Sequence, residues 1–325
     1  INLTSKSEEL EYGTLLQKFF TTHHERLGLA NCDNEETTLN GGIALSPQGA
    51  ADCLKEYYRT TRFIKGVYLA VQELFSRFPN EKIHILYAGC GPYAPLILPV
   101  LTQLSESSVK VTLLDINPFS IAMVSELTEA LGLTSFIEKA IVADATTYQK
   151  GEDEKFHLII SETMFRALIR EPQVSIMANL APQLEEDGIF IPQEIKVEFG
   201  YSFFAKEPYF QHDNALNTLS AVNITFPPRI MVDTLFTLEK ANNFSDKRDY
   251  FFESDWYRTP PKLCLESPDL CLFTTLTIFD EVELNSTEST ITNPHVITSI
   301  ANRFDGQFFK LKYNFKEIPN WTFEL

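Results

Sequence analysis

Ile83-His84-Ile85-Leu86-Tyr87-Ala88-Gly89-Cys90-Gly91-Pro92-Tyr93 is the stretch on which the fold turns. A short, mostly apolar run closed by glycines reads as a buried strand, and the Gly-x-Gly after it as a tight strand-to-helix turn. Such a turn lets backbone approach a ligand, and the N-terminus of the next helix favours negative charge. The residues downstream repeat the alternation. Strands are expected over 109–115, 136–143, 156–160 and 188–191, with helices over 92–105, 118–131 and 172–184. Strands separated by helices imply a parallel, doubly wound, Rossmann-like α/β sheet whose ligand cleft lies beyond the strands' C-terminal ends.

On the N-terminal side, Ser46-Pro47 reads as an N-cap followed by proline at the first helical position. It opens a long helix to about residue 78, with Leu54, Tyr58, Phe63, Val67, Val71 and Leu74 recurring on one face. Residues 1–45 begin helical at Leu10, Leu15, Leu16, Phe19 and Phe20, then turn polar, with Asn40-Gly41 as a turn signal. Beyond Glu194 the pattern becomes β-rich, over 195–204, 222–226, 230–238, 270–279, 296–300 and 307–315, interrupted by Pro227-Pro228 and Pro260-Pro261. This implies an antiparallel β domain, barrel-like or sandwich. The expected organisation is an N-terminal helical and irregular segment over 1–45, a Rossmann-like domain over 46–193 and a β-rich domain over 194–325. A chain of 325 residues suits more than one core.

Composition narrows the function classes. Net charge is −17, which argues against a nucleic-acid partner and permits steering of a cationic ligand; it also serves solubility. Cys32, Cys53, Cys90, Cys264 and Cys271 form no CxxC pair, so neither a zinc site nor a redox motif is indicated. Their odd number and irregular spacing suit a reducing cytoplasm. No apolar run approaches the roughly 18 residues of a membrane span. The chain opens on Ile1 rather than Met, so the sequence leaves the natural N-terminus and a signal peptide open.

The strand tips carry the candidate chemistry. Leu113-Leu114-Asp115 places an acid where it can accept two hydrogen bonds from a ribose diol, or cap the helix that starts beyond Asn117-Pro118. Asp144 follows the next strand, where it can accept from an adenine amino group or stand on the surface. No third glycine completes GxGxxG, which disfavours a pyrophosphate-bearing nicotinamide cofactor and hence an oxidoreductase. The run Leu158-Ile159-Ile160-Ser161 delivers Glu162 to the cleft, and Glu171 follows nine positions later. Two facing carboxylates suit a planar, multi-donor cation such as a guanidinium. Glu171 alternatively serves as a first-turn acid favoured by its helix dipole. Arg59 lies on the long amphipathic helix, where an arginine is otherwise a solvated residue.

Strand, Gly-x-Gly, acidic strand tip and later Asp together resemble class I S-adenosylmethionine-dependent methyltransferases. Three segments are similar, more specifically, to the protein arginine methyltransferases. They are Glu56-Tyr57-Tyr58-Arg59-Thr60, Ser161-Glu162-x-Met164 with Glu171, and Asp187-Gly188-Ile189-Phe190-Ile191-Pro192. The resemblance covers about residues 45–200. It implies S-adenosyl-L-methionine as cofactor, with Arg59 pairing its carboxylate and Gly89, Gly91, Asp115 and Asp144 around its nucleoside. It also implies Glu162 and Glu171 as the catalytic pair, a methyl acceptor that is a protein or small molecule, a β-barrel after residue 194, and compatibility with a homodimer. The sequence departs from that family at Tyr87, where an acid is usual, at Tyr93, where a glycine is usual, and at Thr163, where an aromatic is usual. Pro294-His295-Val296 falls where the family's Thr-His-Trp loop would lie. A non-catalytic cofactor-binding relative is the remaining class.

Overall fold

A computed structural model of the chain describes residues 5–27, 34–151, 154–210, 225–242, 252–260, 267–300 and 306–325. The N-terminal helix α1 (Lys6–Leu27) precedes a small hairpin, β1 (Thr37–Leu39) and β2 (Gly42–Ala44), then α2 (Pro47–Asp52) and α3 (Tyr57–Arg77). The alternating part follows as β3 (Ile83–Ala88), α4 (Leu98–Leu101), β4 (Val109–Asp115), α5 (Pro118–Ala130), β5 (Ile137–Val142), β6 (Phe156–Ser161), α6 (Gln173–Leu180) and β7 (Leu184–Ile191). These strands form one parallel sheet in the order β5-β4-β3-β6-β7. Its interior strand β6, between β3 and β7, is buried throughout, as a mostly apolar run covered on both faces should be.

The remainder is antiparallel. β8 (Glu194–Ser202), β9 (Ile230–Glu239), β12 (Asp269–Phe279), β13 (Val282–Leu284) and β14 (His295–Ser299) form one sheet, with β8 and β14 both against β12. A second sheet joins β10 (Phe252–Glu253), β11 (Tyr257–Arg258), β15 (Phe308–Asn314) and β16 (Asn320–Glu324). One continuous apolar cluster runs through the parallel and antiparallel parts.

Helix α3 is the hinge between them. Phe63, Ile64, Val67, Ala70, Val71 and Leu74 are fully buried, and the helix packs against both the parallel sheet and β12–β13. Gly66 makes the β12 contact possible, because a Cβ there would lie 2.5 Å from Ile278 Cγ2.

The structure corrects several expected elements. The helix from 46 to 78 is two helices, because the chain leaves helical geometry at Glu56 (φ −95°, ψ 84°), whose side chain is tied elsewhere. The helix expected over 92–105 shrinks to the single turn α4. Positive φ at Gly89, Gly91 and Ala94 opposes a helix there, and Pro92, Pro95 and Pro99 each lack a backbone donor. The strand expected at 188–191 begins at Leu184. The segment 1–45 contains the β1–β2 hairpin, with Asn40-Gly41 at its turn. Strand β16 was not expected. Residues 222–224 of the strand expected at 222–226, and Cys32 and Cys264, lie outside the described residues, and 225–226 are not strand. Cys53, Cys90 and Cys271 are free thiols. Among the described residues no helix is long and apolar enough to cross a membrane, and no cluster of metal-ligating side chains forms.

Replacing Gly66 with Val forces side-chain atoms into the α3–β12 contact. The urea midpoint should fall by an amount equivalent to about 1–3 kcal/mol of overpacking, with the slope of the transition unchanged.

Candidate active site

A pocket opens beyond the C-terminal ends of β3, β4 and β6, with an empty volume of about 910 Å³ including its mouth. Gly89, Gly91, Asp115, Arg59, Glu162 and Glu171 all line it. Gly89 and Gly91 adopt left-handed backbone (φ +70° and +60°). At Gly89 the space is also closed to a side chain, because a Cβ would lie 2.4 Å from Thr163 Cγ2. Gly91 N–H donates to Asp115 Oδ2 at 2.8 Å, and Asn117 N–H donates to Oδ1 at 2.9 Å. Burial raises the Asp115 carboxyl above its ordinary range, and these two donors pull it back. Capping of α5 falls to Asn117, whose side chain accepts from Phe119 N–H. Asp115 therefore ties the glycine turn to the β4 tip while its carboxylate lines the pocket.

Asp144 is not brought into this pocket. Its Oδ1 accepts from Thr146 N–H at 2.8 Å and Thr146 Oγ1 at 2.7 Å, closing a local turn, and the alanines on either side line the wall instead. Further lining comes from Leu39, Ala44 and Leu45 around the β1–β2 hairpin, in the segment read as irregular, and from Ala50, Cys53 and Leu54 in the first part of the stretch read as one long helix. Only their apolar character was visible beforehand, and nothing in it distinguished a pocket wall from core.

Arg59 sits in the first turn of α3, buried among carboxylates. Its Nε donates to Glu162 Oε2 at 2.9 Å, its Nη2 donates to the same oxygen, and its Nη1 donates to Glu56 Oε1 at 3.1 Å. Glu56 is the residue sequence reasoning did not single out for a role. Its Oε2 accepts from Ser289 Oγ and from Thr290 N–H at 2.8 Å, and its Oε1 accepts from Thr290 Oγ1 at 2.6 Å. The 289–293 turn is thereby docked on the N-terminus of α3. His295 starts β14 opposite Leu272 and does not line the pocket. Burial, with the nearby Arg166, lowers it to about 4, so it is neutral at ordinary pH.

The two glutamates differ. Glu162 ends β6 and is paired with Arg59, yet its Oε1 is buried with no hydrogen-bond partner among the described residues. Burial pushes Glu162 up to about 7 against the pull of Arg59. Among the described residues no donor reaches the Glu171 carboxylate, and burial, reinforced by the charge of Glu162, pushes it up to about 8. Between them, Thr163 N–H and Oγ1 donate to Gln173 Oε1 at 2.9 and 3.0 Å, fixing the start of the connecting loop to α6. Chemically, the pocket offers one carboxyl group paired with an arginine, a second with no donor among the described residues, glycine backbone and the Asp115 acid.

The fold has solved counterparts. It is similar to a structure of the Trypanosoma brucei PRMT1 enzyme-prozyme heterotetrameric complex with AdoHcy, at 16% identity and a TM-score of 0.54, over 84% of this chain and 97% of that one. It is similar to an open conformation of Arabidopsis thaliana protein arginine methyltransferase 10, at 13% identity and a TM-score of 0.56, over 82% and 87%. No family model matches the chain, and no curated protein matches it by sequence. A Rossmann-like sheet joined to antiparallel β sheets is thus the shared architecture. Its use in this chain is argued from the site.

Glu171 gives stability a pH dependence of defined sign. Its folded value, about 8, lies above the ordinary 4.5, so the folded state holds a proton that the unfolded chain releases first. Its contribution is complete below about 4.5 and is lost as pH rises through about 8. The urea midpoint of the wild type should fall across that window, and Glu171→Gln should flatten the fall.

Proposed function

We propose that the chain is an S-adenosylmethionine-dependent methyltransferase acting on a cationic nitrogen nucleophile held between Glu162 and Glu171. The observation that carries this reading is the buried Glu162 Oε1, without a donor among the described residues, in a pocket that Glu171, the glycine turn and Asp115 also line. A buried acceptor of this kind calls for a donor, which a bound ligand can supply. The likeness to arginine methyltransferase structures agrees with it.

The residues present fit the cofactor. Asp115 at the β4 tip suits a ribose diol, the Gly89–Gly91 backbone leaves room for close approach, and Arg59, whose donors rest on Glu162 and Glu56, lines the same pocket and would supply positive charge toward a cofactor carboxylate. When bound, the cofactor supplies an electrophilic methyl group on a sulfonium. The protein's share is positioning and electrostatics. A guanidinium is a weak nucleophile because its lone pair is delocalised and its pKa exceeds ~12. Glu162 Oε1 and the Glu171 carboxylate, each accepting N–H donors, would fix its plane and draw positive charge to the nitrogens they bind. The remaining nitrogen is left better able to attack. Glu171, with its raised value, is the base suited to take the proton released after transfer. The division at residues 193/194, a barrel-like closure of the antiparallel sheets and a cytoplasmic location belong to the same reading.

Calorimetry should detect S-adenosylhomocysteine binding and no NAD binding; failure to bind the former ends the proposal. Glu162→Gln should reduce radiolabelled methyl transfer to arginine-containing acceptors by roughly a hundredfold or more, as loss of a group acting on developing charge does. Transfer that survives this substitution would refute the carboxylate grip. Comparing free arginine with an arginine peptide separates small-molecule from protein acceptors.

A further inference from the structure

The Glu171 carboxylate reaches its place without any side-chain hydrogen bond among the described residues, so its position is dictated by the backbone that carries it. That backbone is unusual. Ala167, Leu168 and Arg170 all have positive φ (54°, 57° and 71°), in a region that side-chain-bearing residues rarely occupy. A cluster of such residues persists only where the surroundings over-determine it.

The surroundings are the C-terminal hairpin on one side and the N-terminal hairpin on the other. Trp321 Nε1 in β16 donates to Ala167 O at 2.8 Å, and Tyr313 Oη in β15 donates to Leu168 O at 2.6 Å. Arg170 N–H donates to Pro319 O at 2.8 Å, immediately before β16, and Ala167 N–H donates to Thr274 Oγ1 of β12 at 2.9 Å. From the opposite side, Ile43 N–H in β2 donates to Arg170 O at 2.8 Å. Gly42 presses so closely that a Cβ there would lie 2.5 Å from Pro172 N and 2.7 Å from the Glu171 carbonyl carbon. Tyr313 and Trp321 are buried and pack against each other with ring centroids 4.9 Å apart and planes tilted by 40°, so their donor atoms are themselves held.

We propose that Trp321 and Tyr313 are positioning residues, a clamp from the C-terminal β15–β16 hairpin that holds the strained 166–170 backbone and thereby sets the Glu171 carboxylate in the pocket. The role in transfer rests on the methyltransferase reading; the clamp itself does not. Residues more than 140 positions downstream in the chain (313 and 321 against 168 and 167) thus define the geometry of a side chain in the parallel-sheet part.

The test uses Trp321→Phe, which keeps a ring and removes the N–H, alone and with Tyr313→Phe. Glutamate carboxyl carbons are followed by NMR across pH in the full chain, with Glu171 assigned through Glu171→Gln. Leu101→Ala, in α4 and without a hydrogen bond to the loop, controls for loss of stability. In the wild type Glu171 should titrate near 8. In the clamp variants its midpoint should drop toward the ordinary glutamate range as the carboxylate gains solvent, and in the Leu101 variant it should stay. With N-ethylguanidine as probe, the clamp variants should lose roughly tenfold to a hundredfold in kcat, the scale of a small misplacement. Their S-adenosylhomocysteine affinity should remain that of the wild type. An unchanged Glu171 midpoint in the double variant, or an equal change in the Leu101 control, overturns the clamp. A midpoint that shifts while the wild type binds no S-adenosylhomocysteine upholds the clamp and refutes the methyltransferase reading.

Discussion

Burying Arg59 imposes a constraint that much of the molecule serves. A guanidinium taken out of water needs carboxylates and donors' worth of acceptors around it, and breaking such a pair by removing one partner costs about 3–5 kcal/mol. Glu162 immediately follows the interior parallel strand β6, and Glu56 comes from the break between α2 and α3. Glu56 in turn accepts three hydrogen bonds from Ser289 and Thr290 of the antiparallel part. One buried cation thus joins the parallel sheet, the helix that bridges both parts and a turn of the antiparallel sheets. The amphipathic helix is interrupted at this same Glu56, whose carboxylate reaches both Arg59 and the 289–290 turn while its carbonyl accepts from Thr60 N–H.

The same cation makes the two pocket carboxyls unequal. Glu162 has its charge answered by Arg59, whereas Glu171 feels the charge of Glu162 with no donor among the described residues. Like charges in a buried site push one member toward its protonated form. An incoming cation reverses that balance, because it favours ionised carboxylates, so its binding is coupled to proton release.

Much of the frame was legible because each signal was local. The apolar run 83–88 with its glycines, and the tips ending in Asp115 and Glu162, follow from strand periodicity and strand-end placement alone, and the structure brings Gly89, Gly91, Asp115, Arg59, Glu162 and Glu171 together around one pocket. What was not legible depends on partners far away in sequence. The turn chemistry of Asp144-x-Thr146 keeps that acid in a local loop, a competition between side chain and backbone that a strand-tip reading ignores. The prolines at 92, 95 and 99 outweighed the apolar pattern that suggested a helix. The short, terminal Asn320–Glu324 strand alternates correctly but needs β15 beside it to exist. Glu56 and Trp321 carried no signal of their own, since an acid near a helix start and a tryptophan near a chain end are ordinary features.

Strain in the loop between the glutamates explains why the site requires the entire fold. Each positive-φ residue among Ala167, Leu168 and Arg170 costs about 1–3 kcal/mol relative to relaxed backbone. Hydrogen bonds from Thr274, Tyr313 and Trp321 and the close approach of Gly42 offset that cost only when the antiparallel sheets and the N-terminal hairpin are both docked. A parallel sheet alone could carry Glu162, because a strand end needs no outside support. Glu171 could not be held there, since the backbone that presents it would relax to ordinary dihedral angles. The pairing of the two carboxylates is thus a property of the joint between the two parts of the chain, and that joint is where sequence changes in the antiparallel region would reach the chemistry of the pocket.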